Sequence, residues 1–181
     1  GLFCEEKRYT EAIAIYQSLA DRIVGQGLLA GLFRQLEKYD DAITCYKTLM
    51  EIDRENINLH RWAIGECFEN SNRLHNAIAA YGLVDDFPTT YFKMASCHRK
   101  LKEYKQALAL YSQCKVHAPS APDAFMEIGF TYEEAGQTTN AIRAFQLLCK
   151  NYPKSNHASR AHSHLQSKHG INVTLGGAKE E

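Results

Sequence analysis

The chain lacks most of the features by which a sequence signals chemistry. It has 21 basic and 21 acidic side chains and so no net charge. A neutral balance gives no general attraction to nucleic acid or to anionic lipid. No run approaches the roughly 18 apolar residues that would cross a bilayer, so no membrane insertion is expected. There is no GxSxG, no phosphate-binding glycine loop and no HExxH. The expectation is therefore a non-enzyme without a cofactor. Cysteine pairing is also missing. Cys4, Cys45, Cys67, Cys97, Cys114 and Cys149 form no CxxC pair and lie inside apolar helical patterns. They read as small buried hydrophobes in a reducing compartment, and a cytoplasmic location is expected. No signal-peptide pattern opens the chain. It begins at Gly1, however, and reads as a piece of a longer protein.

With 45% hydrophobic and 23% charged residues, the chain has ample apolar surface to bury and falls in the ordinary range for a soluble fold. Its organisation comes from a repeat. Five segments share an alanine, a following aliphatic residue and a ring four places on: Tyr9–Tyr16, Tyr39–Tyr46, Leu74–Tyr81, Tyr104–Tyr111 and Thr138–Phe145. Their alanines are Ala12, Ala42, Ala77, Ala107 and Ala141, separated by 30, 35, 30 and 34 residues. Twelve places before the last four alanines stands a small residue: Ala30, Gly65, Ala95 and Gly129. Three places after each of these comes a ring: Phe33, Phe68, His98 and Tyr132. Pro119 and Pro153 close the last two units.

These residues resemble the tetratricopeptide repeat family over roughly 1–153. The resemblance implies an all-α, right-handed superhelical α-solenoid of about five helix-turn-helix repeats plus a C-terminal capping helix. The repeat array is assigned to 1–153, with the first repeat truncated, the capping helix to 154–169 and a tail to 170–181. Small residues let paired helices approach, rings fill the space beside them, and stacking buries faces that one hairpin cannot. The two 30-residue steps fall about one helical turn short of 34. They predict a clipped second helix or a tight connection near Leu19–Val24 and Gly82–Pro88. Residues 1–6 are expected to be the end of a first helix of an incomplete hairpin, with Leu2, Phe3 and Ile13 left uncovered. The tail, with its β-like 171–175 stretch, is open to disorder, folding back or docking on a neighbour.

In this family the first helix of each repeat lines a concave surface. The resemblance places Arg34, Trp62, Glu66, Glu69, Phe92, Arg99, Met126, Phe130, Glu133 and Arg160 there. Rings that anchor and charges that set register suit a protein or peptide partner held in a groove. Trp62, the one tryptophan, either faces that groove or packs on the next repeat. The chaperone-tail clamp known in some relatives is not expected. Its positions hold Gly27, Gly31, Ala63, Thr89 and Lys93, and one lysine cannot replace several charge-assisted hydrogen bonds. His157, His162, His164 and His169 are read as a solvated face, with no carboxylate completing a metal-ligand set. Glu66, Glu69, Glu133 and Glu134 are read as solvated helix charges. The expected function is an interaction scaffold or adaptor, with homo-oligomeric self-assembly open. Two alternatives remain. One is a bacterial envelope component, since Phe145–Ser155 resembles the terminal repeat of outer-membrane assembly and cell-division coordinator proteins. The other is the docking region of a larger enzyme.

Overall fold

The computed structural model describes residues 2–176, with side chains from residue 8 onward. The periodicity is realised as ten α-helices and no strand among the described residues. They divide into two compact units, 1–85 and 86–181. The first contains α1 (Leu2–Ser18), α2 (Arg22–Gln35), α3 (Tyr39–Ile52), α4 (Ile57–Asn70) and α5 (Leu74–Tyr81). The second contains α6 (Thr89–Lys100), α7 (Tyr104–Cys114), α8 (Ala121–Glu134), α9 (Thr138–Asn151) and α10 (Asn156–His169). Helices α2–α3, α4–α5, α6–α7 and α8–α9 are the four complete hairpins. No described helix is long and apolar enough to cross a membrane.

The hairpin turns explain why each first helix stops where it does. Glu37, Asn72, Lys102 and Gly136 take the left-handed conformation, with φ between 56° and 73°. The next residue but one to the helix end then folds back onto a carbonyl of the last turn. Lys38 N donates to Phe33 O, Arg73 N to Phe68 O, Glu103 N to His98 O and Gln137 N to Tyr132 O, each at 2.8–2.9 Å. This is a Schellman closure, and it satisfies carbonyls that a bare helix end leaves open. The four acceptors are the ring positions of the motif, so one residue both packs the hairpin and anchors its turn.

The small residues of the motif exist because a ring sits on them. A Cβ built on Gly65 would lie 2.5 Å from Tyr81 Cε1, and one on Gly129 would lie 2.3 Å from Phe145 Cε1. Tyr81 and Phe145 are fully buried, as are Ala42, Ala77, Ala107 and Ala141. In the first unit Ala42, Ile43, Ile64, Cys67 and Ala80 form one core cluster, and Leu29, Ala30 and Cys45 another. In the second, Ala95, Ala107, Tyr111, Ile128 and Ala144 form one, and Phe145, Leu148, Ala158, Ala161 and Leu165 belong to the other. The last three bring α10 onto the α8–α9 hairpin as its cap.

Both short steps have a physical origin. Between α1 and α2 only three residues intervene. Asp21 caps α2, accepting from Ile23 N and Val24 N. In the other step α5 is eight residues long, against 14 for α3 and α9. One expectation fails. The chain runs as a single helix from Leu2 to Ser18, so residues 2–6 are not the end of a separate preceding helix, and residue 1 lies outside the described ones. No glycine, proline or asparagine interrupts residues 2–18, and the backbone has no cause to turn. Of the side chains expected there, Leu2 and Phe3 lie outside the described ones. Ile13 is partly buried against the Leu29–Ala30–Cys45 cluster.

The tail does not continue as a strand. It leaves α10 through Gly170 in the left-handed conformation. Ile171 and Val173 then pack on the cap's core, and Gly176 N donates to Cys149 O at 3.0 Å. Residues 170–176 thus fold back on their own hairpin. Residues 177–181 lie outside the described ones.

Candidate functional site

In the first unit α2 and α4 are the first helices of successive hairpins, joined by one ion pair. Arg34 Nη2 donates to Glu66 Oε2 at 3.1 Å, which brings the two helices together at one end. One turn further, Glu69 accepts from the Tyr81 hydroxyl at 2.9 Å. Trp62 is half-buried and tilts over Tyr81, with ring centroids 5.1 Å apart. Its ring therefore packs on the second helix of its own hairpin. Towards the other end the stripe is open and apolar. Val24 is 49% exposed and Leu59 64%. A Cβ at Gly27 or Gly31 would meet nothing within 4 Å.

In the second unit Phe92 is half-buried over Tyr111, with centroids 5.6 Å apart. Arg99 pairs with Glu127 and, at 3.5 Å, with Glu134. Phe130 meets Phe145 and His164 edge-on, at 5.5 and 5.3 Å. Met126 is only 3% exposed. It belongs to the core rather than standing out as an anchor, because α10 covers the last hairpin on that side. Arg160 is exposed on α10. It edges a depression of about 570 Å³ that Phe130, Ser163 and His164 also line.

Two expectations require correction here. The cap histidines are not a solvated face. His164 Nε2 and His169 Nε2 lie 2.9 and 2.7 Å from Glu133 Oε1, and Lys168 Nζ lies 2.8 Å from Glu133 Oε2. His157 Nε2 similarly meets Asp123 Oδ1 at 2.7 Å. Nor is Glu133 a solvated charge, although Glu134 is exposed. The Glu133 side chain is 10% exposed. Burial alone would raise its pKa, but hydrogen bonds from Lys168, His164 and His169 outweigh burial and hold it at about 2. The signal for this cluster was present. Glu133 occupies the position in α8 that Arg34 occupies in α2, one turn past the small residue. Side chains there reach the following first helix, which at the end of the array is the cap.

Cys45, Cys67, Cys97, Cys114 and Cys149 are buried. Burial pushes the Cys114 thiol up to about 11 and raises Cys45, Cys67 and Cys149 as well. Sequence reasoning also missed an apolar hollow of about 350 Å³ beside the short α5, lined by Met50, Ile64, Phe68, Ala80 and Leu83.

This architecture of ring-on-glycine hairpins closed by Schellman turns defines a helical repeat solenoid. Models of the tetratricopeptide repeat match residues 27–56, 89–121 and 123–155, more than half of the chain in total. The chain belongs to the tetratricopeptide repeat family. One curated relative is the anaphase-promoting complex subunit CDC16 of Saccharomyces cerevisiae, 25% identical over 119 residues. That match covers 64% of this chain and spans 14% of the relative's length. Two solved structures share the fold. MamA superposes with a TM-score of 0.57 at 19% identity, covering 78% of this chain and 85% of that one. YrrB, described as a tetratricopeptide repeat protein with an unusual peptide-binding site, has a TM-score of 0.59 at 16% identity, with 90% and 87% covered.

Proposed function

We propose that the chain is a protein-interaction scaffold whose first unit binds a peptide segment along α2 and α4. The observation that carries this reading is the open apolar end of that face. Val24 on α2 and Leu59 on α4 stay exposed, and Gly27 and Gly31 leave the α2 backbone itself accessible. A partner side chain can reach the α2 backbone there, and burying both aliphatic groups is worth about 2 kcal/mol or more. The charges beyond them are engaged with each other, so recognition is led by apolar contact. The fold shared with YrrB, described as having an unusual peptide-binding site, supports the reading. So does the relative CDC16, by name a subunit of a complex.

The test is selection from a displayed peptide library, followed by titration using Trp62 emission as the reporter. Selected peptides should carry an aliphatic or aromatic residue and shift that emission. Leu59→Glu should lower their affinity about tenfold, equivalent to about 1.4 kcal/mol, with helicity unchanged. Peptides that bind Leu59→Glu as tightly as the parent chain would overturn this assignment of the face. A mass that grows with concentration, and is unchanged by Leu59→Glu, would point instead to self-assembly through another surface.

A further inference from the structure

We propose that Glu133, His164 and His169 form a zinc-type divalent metal site that staples the capping helix α10 to α8. Both imidazole Nε2 atoms converge on a single carboxylate oxygen, Glu133 Oε1, at 2.9 and 2.7 Å. The three ligand atoms lie within 4.8 Å of one another. Around a tetrahedral zinc, bonds of about 2.0–2.2 Å place ligand atoms roughly 3.4 Å apart. The two imidazole–carboxylate contacts thus have to open by well under 1 Å to admit an ion. In doing so each imidazole gives up its Nε2 hydrogen bond to Oε1, its ring proton moves to Nδ1 or, from an imidazolium, is released to solvent, and the freed Nε2 lone pair binds the metal.

Three further features favour a cation of this class. Two imidazoles and one carboxylate suit zinc and its first-row neighbours, whereas magnesium and calcium prefer all-oxygen shells. Glu133 lies in the last turn of α8 and His169 ends α10. Both helices therefore direct the negative end of their dipoles at the cluster. Lys168 holds the other carboxylate oxygen, Oε2, at 2.8 Å. It fixes the carboxylate orientation and leaves Oε1 for the ion, the task that outer-shell partners perform in metal sites. Three protein ligands leave the fourth position to water.

The experiment is calorimetric titration of the metal-stripped full chain with zinc, paired with cobalt(II) absorption spectroscopy. One ion should bind per chain. Cobalt(II) should give the visible bands of a tetrahedral N/O site without a thiolate charge-transfer band. Glu133→Gln and His169→Gln should each weaken binding by more than about tenfold. His162→Gln, on the same helix outside the cluster, should retain it, whereas Lys168→Met should weaken it without abolishing it. Zinc should also slow amide exchange in α10 of the parent chain and not of His169→Gln. Absence of saturable binding would overturn the proposal, as would equal affinity in His169→Gln. A thiolate band would also overturn it, because it would assign the ion to the cysteines.

Discussion

The α4–α5 and α8–α9 hairpins apply one packing rule with different amounts of support. In each, a ring of the second helix lies on a glycine of the first: Tyr81 on Gly65 and Phe145 on Gly129. Helix α9 continues for 14 residues and has the cap beside it. Helix α5 stops after eight and leaves the 350 Å³ hollow next to Ile64, Ala80 and Leu83. The local contact is the same, but its surroundings can yield in one hairpin and not in the other. Interior substitutions depend strongly on that ability to collapse.

This comparison orders the expected effects. Phe145→Ala should cost about 4 kcal/mol in urea unfolding of the full chain, and Tyr81→Ala about 3. The smaller loss at Tyr81 reflects the hollow, into which neighbours can relax; a larger one would break the comparison. Gly129→Ala should cost about 2 kcal/mol, because its Cβ collides with an enclosed ring. Gly65→Ala should cost less than that, since Ile64 and Ala80, the chain neighbours of Gly65 and Tyr81, border the hollow and alanine favours the helix. Filling the hollow sharpens the same point. Ala79→Leu should raise stability by about 0.5 kcal/mol, and no gain would mean that the hollow is not accessible to that side chain.

The smallest effect concerns pH. The hydrogen bond from His60, then those from Asn56, hold the Asp53 carboxyl below its ordinary value. A lowered carboxyl pKa adds stability that is complete above the ordinary value near 4. It is lost as pH falls through the lowered value. Asp53→Asn should therefore lower the melting temperature slightly at neutral pH and leave it nearly unchanged below the lowered value, which flattens the acid limb of the profile.

The repeat could be read from the sequence because each motif residue has a local task that recurs: a ring four places after the alanine, and a small residue sixteen places before that ring. Helix count, turn positions and both irregular steps follow from that spacing. The site was less legible. Trp62 and Phe92 were placed on the correct helices, but the rings they lean on, Tyr81 and Tyr111, are 19 residues away in each case. Charge pairing was hidden for the same reason. Arg34 and Glu66 are 32 residues apart, and Glu133 and His169 are 36 apart. Such pairs become visible only once helices of different hairpins are laid together. Met126 is largely covered by the cap, which nothing within α8 shows. Helix α1 was misjudged because family phase was allowed to impose a turn where no residue makes one.

The internal pairing of Arg34 with Glu66 and of Arg99 with Glu127 has a kinetic consequence. Charges that neutralise each other at close range cast little field into solvent. With no net charge to add to that field, a partner is not drawn in from a distance. Encounter rates should therefore resemble those of neutral protein pairs, about 10⁵–10⁶ M⁻¹s⁻¹, and change little with ionic strength. Discrimination between partners then rests on how long a complex lasts once formed.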